Sequence, residues 1–282
     1  AWAYGNALCK RIQSRLIMSV LVLLAGASTG LLLGILGSGG SIVTMPAFIY
    51  LLDVEPKPAI AMSLGVVGLT AGISALQHGW RGNINFRIVL IFGFFGAIGT
   101  YAGAKIGIIM PDTLQLVMFA LIMYYAAYKM FVPKRVAVVV GSPNQATSVA
   151  EEDGMMASLH FGHIAMHGVL VGVLTGIVGV GGGFLIVPAL VLLSGLPMKK
   201  AVGTSLAIIA IKSFAGFAGY AGSVPIDLEL ISAFSVVAIV AGLVGGLLSH
   251  KIPETTLRTS FAVFLLIVAS YMLFQEITKA SL

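Results

Sequence analysis

Charge is the first thing this sequence lacks. Of 282 residues only 9% are Asp, Glu, Lys or Arg, while 59% are apolar. A soluble domain is about a quarter charged, so a water-soluble enzyme, a nucleic-acid binder and a disordered chain are all excluded. The formal net charge of +6 does not reopen nucleic-acid binding. The basic residues stand in ones and twos at the edges of apolar runs, as topology signals do. A single cysteine, Cys9, excludes any disulfide within the chain. Acids are missing from the apolar runs: Asp53, Glu55, Asp112, Glu151, Glu152, Asp153, Asp227, Glu229, Glu254 and Glu276 all lie in loops or at segment ends. A cation carrier or a pump with carboxylate relays keeps a buried acid, so this distribution favours an anionic or neutral substrate.

What is present is glycine, 35 residues of it, and long apolar runs. Close helix packing in lipid favours glycine. Ten segments follow from the runs, near 16–36, 41–52, 58–78, 87–109, 113–132, 164–180, 183–194, 199–220, 229–249 and 256–275. Most approach the ~20 residues that cross a bilayer. The segments 41–52 and 183–194 are too short, and each follows a glycine-rich break. The fold expected is an all-α integral membrane protein. Its parts are a membrane repeat over 16–132, a polar linker over 133–163 and a second membrane repeat over 164–276. The start, Ala1-Trp2-Ala3-Tyr4, lacks the basic opening of a signal peptide.

Sliding the chain by 142 residues superposes its halves without a gap. Gly34-Ile35-Leu36-Gly37-Ser38-Gly39-Gly40 falls on Gly176-Ile177-Val178-Gly179-Val180-Gly181-Gly182, Pro46-Ala47 on Pro188-Ala189, and Ser63-Leu64 on Ser205-Leu206. Transporters are commonly built from two such repeats with the substrate site between them. Charge bias flips between the copies. Arg81 and Arg87 face Asp227 and Glu229, and Asp53 and Glu55 face Lys199-Lys200. The flip favours inverted repeats of about five segments each, while Lys10, Arg11 and Arg15 oppose it. Re-entrant or broken short segments would lower the number of crossings.

The breaks carry the chemistry. Gly37, Ser38, Gly39, Gly40 and Ser41 in one copy, and Gly179, Gly181, Gly182 and Gly183 in the other, sit between an apolar helix and a short one. Unwound backbone at membrane depth is tolerated where it is buried in protein or lines a cavity. The helix start after it presents free N–H groups and a positive dipole end, an arrangement suited to an anion. Tight helix crossing through small residues is the competing reading. Lys212 is the one deeply placed charge, and a bound anion is an attractive partner for it; snorkelling is the alternative. Ser63, Thr204 and Ser205 are candidates to complete the substrate shell, and Gln77 with His78 to form a gate. His160, His163 and His167 share a helical face, but no Cys, Asp or Glu joins them inside the helix. No metal site is expected there.

Gly-x-x-Gly-x-Gly-Gly followed by Pro46 or Pro188, then a Ser-Leu or Gly-Thr-Ser-Leu step, resembles the TauE/SafE family of sulfite exporters. The resemblance covers both halves and is strongest from Gly172 to Ala207. The first copy departs from it, with Ser41 for the third glycine and Ala61-Met62 for Gly-Thr. It implies a multi-pass permease of the bacterial inner membrane for sulfite or organosulfonates, with no cofactor and no enzymatic activity. The lipid bilayer and a small anion are its partners, with a homodimer left open. Export by alternating access between the repeats is the expected mechanism. A passive anion channel and a non-transporting scaffold or sensor are the alternatives.

Overall fold

A computed structural model describes residues 20–34, 41–131, 166, 168–179, 181, 186, 198–248 and 254–280, and no strand occurs among them. The helices in chain order are α1 (Val20–Gly34), α2 (Ser41–Pro46), α3 (Pro56–Trp80), α4 (Phe86–Ile109), α5 (Asp112–Phe131), α6 (Gly168–Val178), α7 (Met198–Tyr220), α8 (Leu228–Leu248) and α9 (Glu254–Ala280). Pro46 closes α2, and a π-helical turn, Ala47–Leu51, continues it. The apolar runs that fall among the described residues become helices, with α9 reaching Ala280 rather than residue 275. The linker over 133–163 and the short segment 183–194 lie almost wholly outside the described residues.

Local chemistry sets the helix starts, and it does so twice. Pro56 opens α3, where its fixed φ suits a first helical turn and its missing N–H costs nothing. The Asn85 side chain caps α4 by accepting from Ile88 N at 3.3 Å, and the Asp227 carboxylate caps α8 by accepting from Leu230 N at 2.9 Å. Asn85 and Asp227 are 142 residues apart. The starts of α3 and α7, of α4 and α8, and of α5 and α9 keep the same interval. Lys57 at the start of α3 pairs with Asp112 at the start of α5 at 3.3 Å. That partly exposed pair is worth about 0–1 kcal/mol, and Lys199 and Glu254 occupy the corresponding positions in the second half.

Packing repeats as well. α3 lies against α7 and α8, α4 against α7, and α5 against α9. Exchanging the halves converts the α3–α8 contact into α7–α4 and returns the other two unchanged. α3 and α7 run antiparallel: Gly65 meets Phe217, Gly68 meets Phe214 and Gly72 meets Ala210. Lipid supplies no hydrophobic drive between helices, so association depends on close approach. On α1, Gly26 and Gly30 seat against Phe234, Val237 and Ala238 of α8; on α6, Gly168 and Gly172 seat against Phe92, Phe95 and Gly96 of α4. These two crossings match residue for residue at the 142 interval. A Cβ at Gly30 would overlap the Ala238 carbonyl oxygen, and one at Gly172 the Gly96 carbonyl oxygen.

The same contacts show where the short elements go. α1 travels alongside α8, from the level of Phe234 at Gly26 to that of Ala238 at Gly30. The chain is back at Phe234 by Phe48, whose ring centroid lies 4.9 Å from that of Phe234. Gly26 of α1 and Phe48 of the Ala47–Leu51 turn thus both meet α8 at the level of Phe234. In the second half α6 descends along α4 to Gly179, while Met198 stands back at the end where α4 begins. Four helices (α3, α4, α7 and α8) are long and apolar enough to cross a membrane among the described residues. Their lipid-facing rows also correspond, Phe94 and Ile98 on α4 with Val236 and Val240 on α8, all exposed.

Candidate functional site

The second glycine break is built from its backbone outward. α6 ends as Gly179 adopts φ +77° and Gly181 φ +40°, in the left-handed region that side chains disfavour. A Cβ on Gly179 would also stand 2.7 Å from Ile60 Cγ2 of α3. A helix end leaves its last carbonyls without partners, and here side chains from three other helices supply donors. Tyr220 Oη donates to Gly176 O at 3.1 Å, Gln115 Nε2 to Ile177 O at 3.0 Å, and Ser63 Oγ to Gly179 O at 2.9 Å. Gln115 Nε2 donates also to Gly107 O at 2.9 Å, and its Oε1 is buried without a partner among the described residues. Gly107 leaves the room this cluster needs, since a Cβ there would stand 2.8 Å from Gln115 Nε2.

Lys212 comes to the same helix end from α7. It is wholly buried, with Nζ 3.3 Å from Thr175 Oγ1, the residue preceding Gly176. No carboxylate lies within ion-pairing distance of it among the described residues. Its stem runs over Gly96 of α4, where a Cβ would stand 2.8 Å from Lys212 Cδ. An ammonium in the last turn of α6 is favoured by the negative end of the helix dipole. That offsets only part of the ~2.5–3.5 kcal/mol that a lysine costs at membrane mid-depth. The adjoining Ser213 Oγ is buried and unpartnered among the described residues. Thr70 holds the position of Lys212 in the other repeat and donates to its own helix at Val66 O.

Lys212 apart, the nominated residues that are described stand at two ends of the α3–α7 pair. Ser63 is beside Gly179, but Thr204 and Ser205 belong to the other end of the α3–α7 pair. From the antiparallel register, Ser63 and Ser205 are roughly 20 Å apart along the helices at ~1.5 Å per residue, with Lys212 between them. Thr204 Oγ1 accepts from Asn85 N at 3.0 Å, and Ser205 Oγ donates to Val202 O at 2.9 Å. At that end too are Gln77, half-buried, and His78, whose Nδ1 is buried without a partner among the described residues and whose Cβ would stand 3.0 Å from a Cβ at Gly203. Gly37, Ser38, Gly39, Gly40, Gly182 and Gly183 lie outside the described residues, as do His160, His163 and His167. Of Ser41 only its place as the first residue of α2 is described.

One carboxylate departs from the expected distribution. Because α9 runs on to Ala280, Glu276 is inside the helix, 6% exposed, and near Tyr50. Sequence reading missed Thr175, Gln115, Tyr220 and Gly96. Gln115 carried a usable signal, a polar amide in the first turn of an apolar helix where the other repeat has Leu257. Thr204→Val is expected to cost about 1 kcal/mol, by leaving the Asn85 N–H unpaired. Thermal unfolding checks this, and substrate affinity should not change.

The family model described as Sulfite exporter TauE/SafE matches residues 22–272. A "Probable membrane transporter protein" of Xylella fastidiosa (strain 9a5c) is 28% identical over 264 residues, spanning 92% of this chain and 97% of the relative. One of Haemophilus influenzae is 27% identical over 273 residues, spanning 90% and 97%. "Probable membrane transporter protein YdhB" of Bacillus subtilis is 26% identical over 250 residues, spanning 87% and 96%. No solved structure matches the chain. With a family match over nearly its whole length and four helices fit to cross a bilayer, this chain is a multi-pass membrane protein and belongs to the sulfite exporter TauE/SafE family of membrane transporters.

Proposed function

We propose that the chain exports a small sulfur oxyanion, sulfite or an organosulfonate, by alternating access between two inverted repeats. The observation that carries this reading is Lys212, a fully buried cation with a threonine hydroxyl and no carboxylate beside it among the described residues. A buried charge without a counter-ion is costly, and an anion bound in transit supplies the missing partner. Lys212 binds the anion's oxygens, Thr175 Oγ1 orients the ammonium by accepting from it while donating to Val171 O at 2.6 Å, and backbone N–H groups of the glycine breaks complete the shell. Ser63 acts by holding Gly179. The Gln77–His78 end is the opposite mouth of the α3–α7 pair.

The antiparallel course of α3 against its repeat mate α7 supports inversion, because mates related by an axis in the membrane plane run in opposite directions. Each side then opens in turn onto Lys212. Flux in proteoliposomes tests the reading. Sulfite or organosulfonate uptake is expected to saturate and to be accelerated by the same anion on the opposite side. Flux linear in concentration, with no acceleration, indicates a passive channel instead. No flux of either anion class overturns the substrate assignment.

A further inference from the structure

The carbonyl end of α6 is the wrong electrostatic environment for an anion. Helix C-termini and unwound carbonyls suit cations, in transporters as elsewhere. Yet the proposed anion site is in the last turns before such an end: Thr175 Oγ1 accepts from Lys212 Nζ and donates to Val171 O, and Gly176 and Ile177 follow Thr175 directly in the chain. The two carbonyls are bound by Tyr220 Oη and Gln115 Nε2. Both donors are fully buried and come from other helices, α7 and α5. We propose that Gln115 and Tyr220 determine charge selectivity: by donating to the carbonyls of Gly176 and Ile177 they offset the partial negative charge that would repel an anion held by Lys212. This rests on the anion reading above and names the residues that make it possible.

The repeat sharpens the argument. Position 257, the counterpart of Gln115, is leucine, and position 78, the counterpart of Tyr220, is histidine. Gln115 comes from the first half and Tyr220 from the second, and the corresponding pair of positions, Leu257 and His78, does not offer both donors. A donor pair required only to end a helix would be expected in both copies. Neither residue need touch substrate, so both are positioning residues whose effect passes through the backbone oxygens they cap.

An isosteric pair of probes separates selectivity from general damage. Methanesulfonate and methanesulfonamide have nearly the same shape, and only the first is charged at pH 7.5. Their inhibition of sulfite uptake is compared in proteoliposomes for wild type, Gln115→Leu and Tyr220→Phe. Wild type is expected to favour methanesulfonate. The variants should lower that preference about 10-fold or more, raising the sulfite KM with maximal flux within about 3-fold. Tyr220→Phe removes a single oxygen, so it keeps the test open if Gln115→Leu misfolds. Folded variants that keep the wild-type preference, or weaken both probes equally, overturn the inference while Lys212-dependent flux leaves the anion reading standing. A wild type that neither carries sulfite nor binds methanesulfonate removes both together.

Discussion

Lys212→Met should abolish transport, lowering anion flux at least about 100-fold, while leaving the protein as stable as before or more so. The two effects part because one residue contributes to them with opposite sign. In the empty protein the buried ammonium is a cost of about 2.5–3.5 kcal/mol, offset in part by Thr175 and the α6 dipole. Methionine fills a similar volume without the charge, and replacing buried ions by apolar side chains is often neutral or stabilising. With substrate bound, the loss reverses: the anion no longer finds its cation in a water-poor site. Detergent-solubilised Lys212→Met is therefore expected to unfold at the wild-type temperature or a few degrees above it. Sulfite, which should raise the wild-type midpoint by mass action, should not raise that of the variant. A variant that transports normally would sink the role given to Lys212. One that unfolds many degrees earlier would mean that the lysine holds the fold.

Much of this architecture was legible before any coordinates, and the reasons are physical. Apolar runs must become helices in lipid because no other open backbone satisfies its hydrogen bonds there. Pro56, Asn85 and Asp227 mark helix starts by chemistry that acts within one turn. Lys212 stood out because a charge inside an apolar run is expensive wherever the chain later places it. The pairing of halves was legible as a 142-residue interval, but its spatial meaning was not. Matching Ser63 with Ser205 made them equivalent, and equivalence was read as proximity. When mates run antiparallel, corresponding residues meet only near the crossing point, as Thr70 and Lys212 do by register, and separate towards the helix ends. Both hydroxyls bond the carbonyl three residues back, Ile60 O and Val202 O, but Ser63 alone is also within reach of a carbonyl of the other half, Gly179 O. Thr175, Gln115 and Tyr220 were missed for a related reason. Each is an ordinary residue in its own helix and gains a role only from the partner a different helix brings.

Gly96→Ala is expected to reduce flux roughly 10- to 50-fold and to cost about 1–3 kcal/mol of stability, as overpacking of a tight interior does. The added methyl would stand 2.8 Å from Lys212 Cδ and 3.1 Å from Cγ, in the middle of the stem, where the lysine cannot yield by rotating only its tip. Displacing the stem draws the ammonium off Thr175, so both properties should fail together. A second substitution should then pull them apart. Gly96→Ala combined with Lys212→Thr recreates at the α4–α7 contact the residues found at the corresponding positions of α8 and α3, Ala238 and Thr70. Thr70 and Ala238 are buried there without strain from a long side chain. The double variant is expected to recover to within about 0.5 kcal/mol of wild type, a coupling of at least ~0.5 kcal/mol between the two sites, yet to carry no anion above background. Stability restored without flux would show that Gly96 is small for the sake of the lysine. Gly96→Ala alone with unchanged flux and unchanged unfolding would show instead that the stem has another path through the interior, and that the site is not confined as the contact at Gly96 implies.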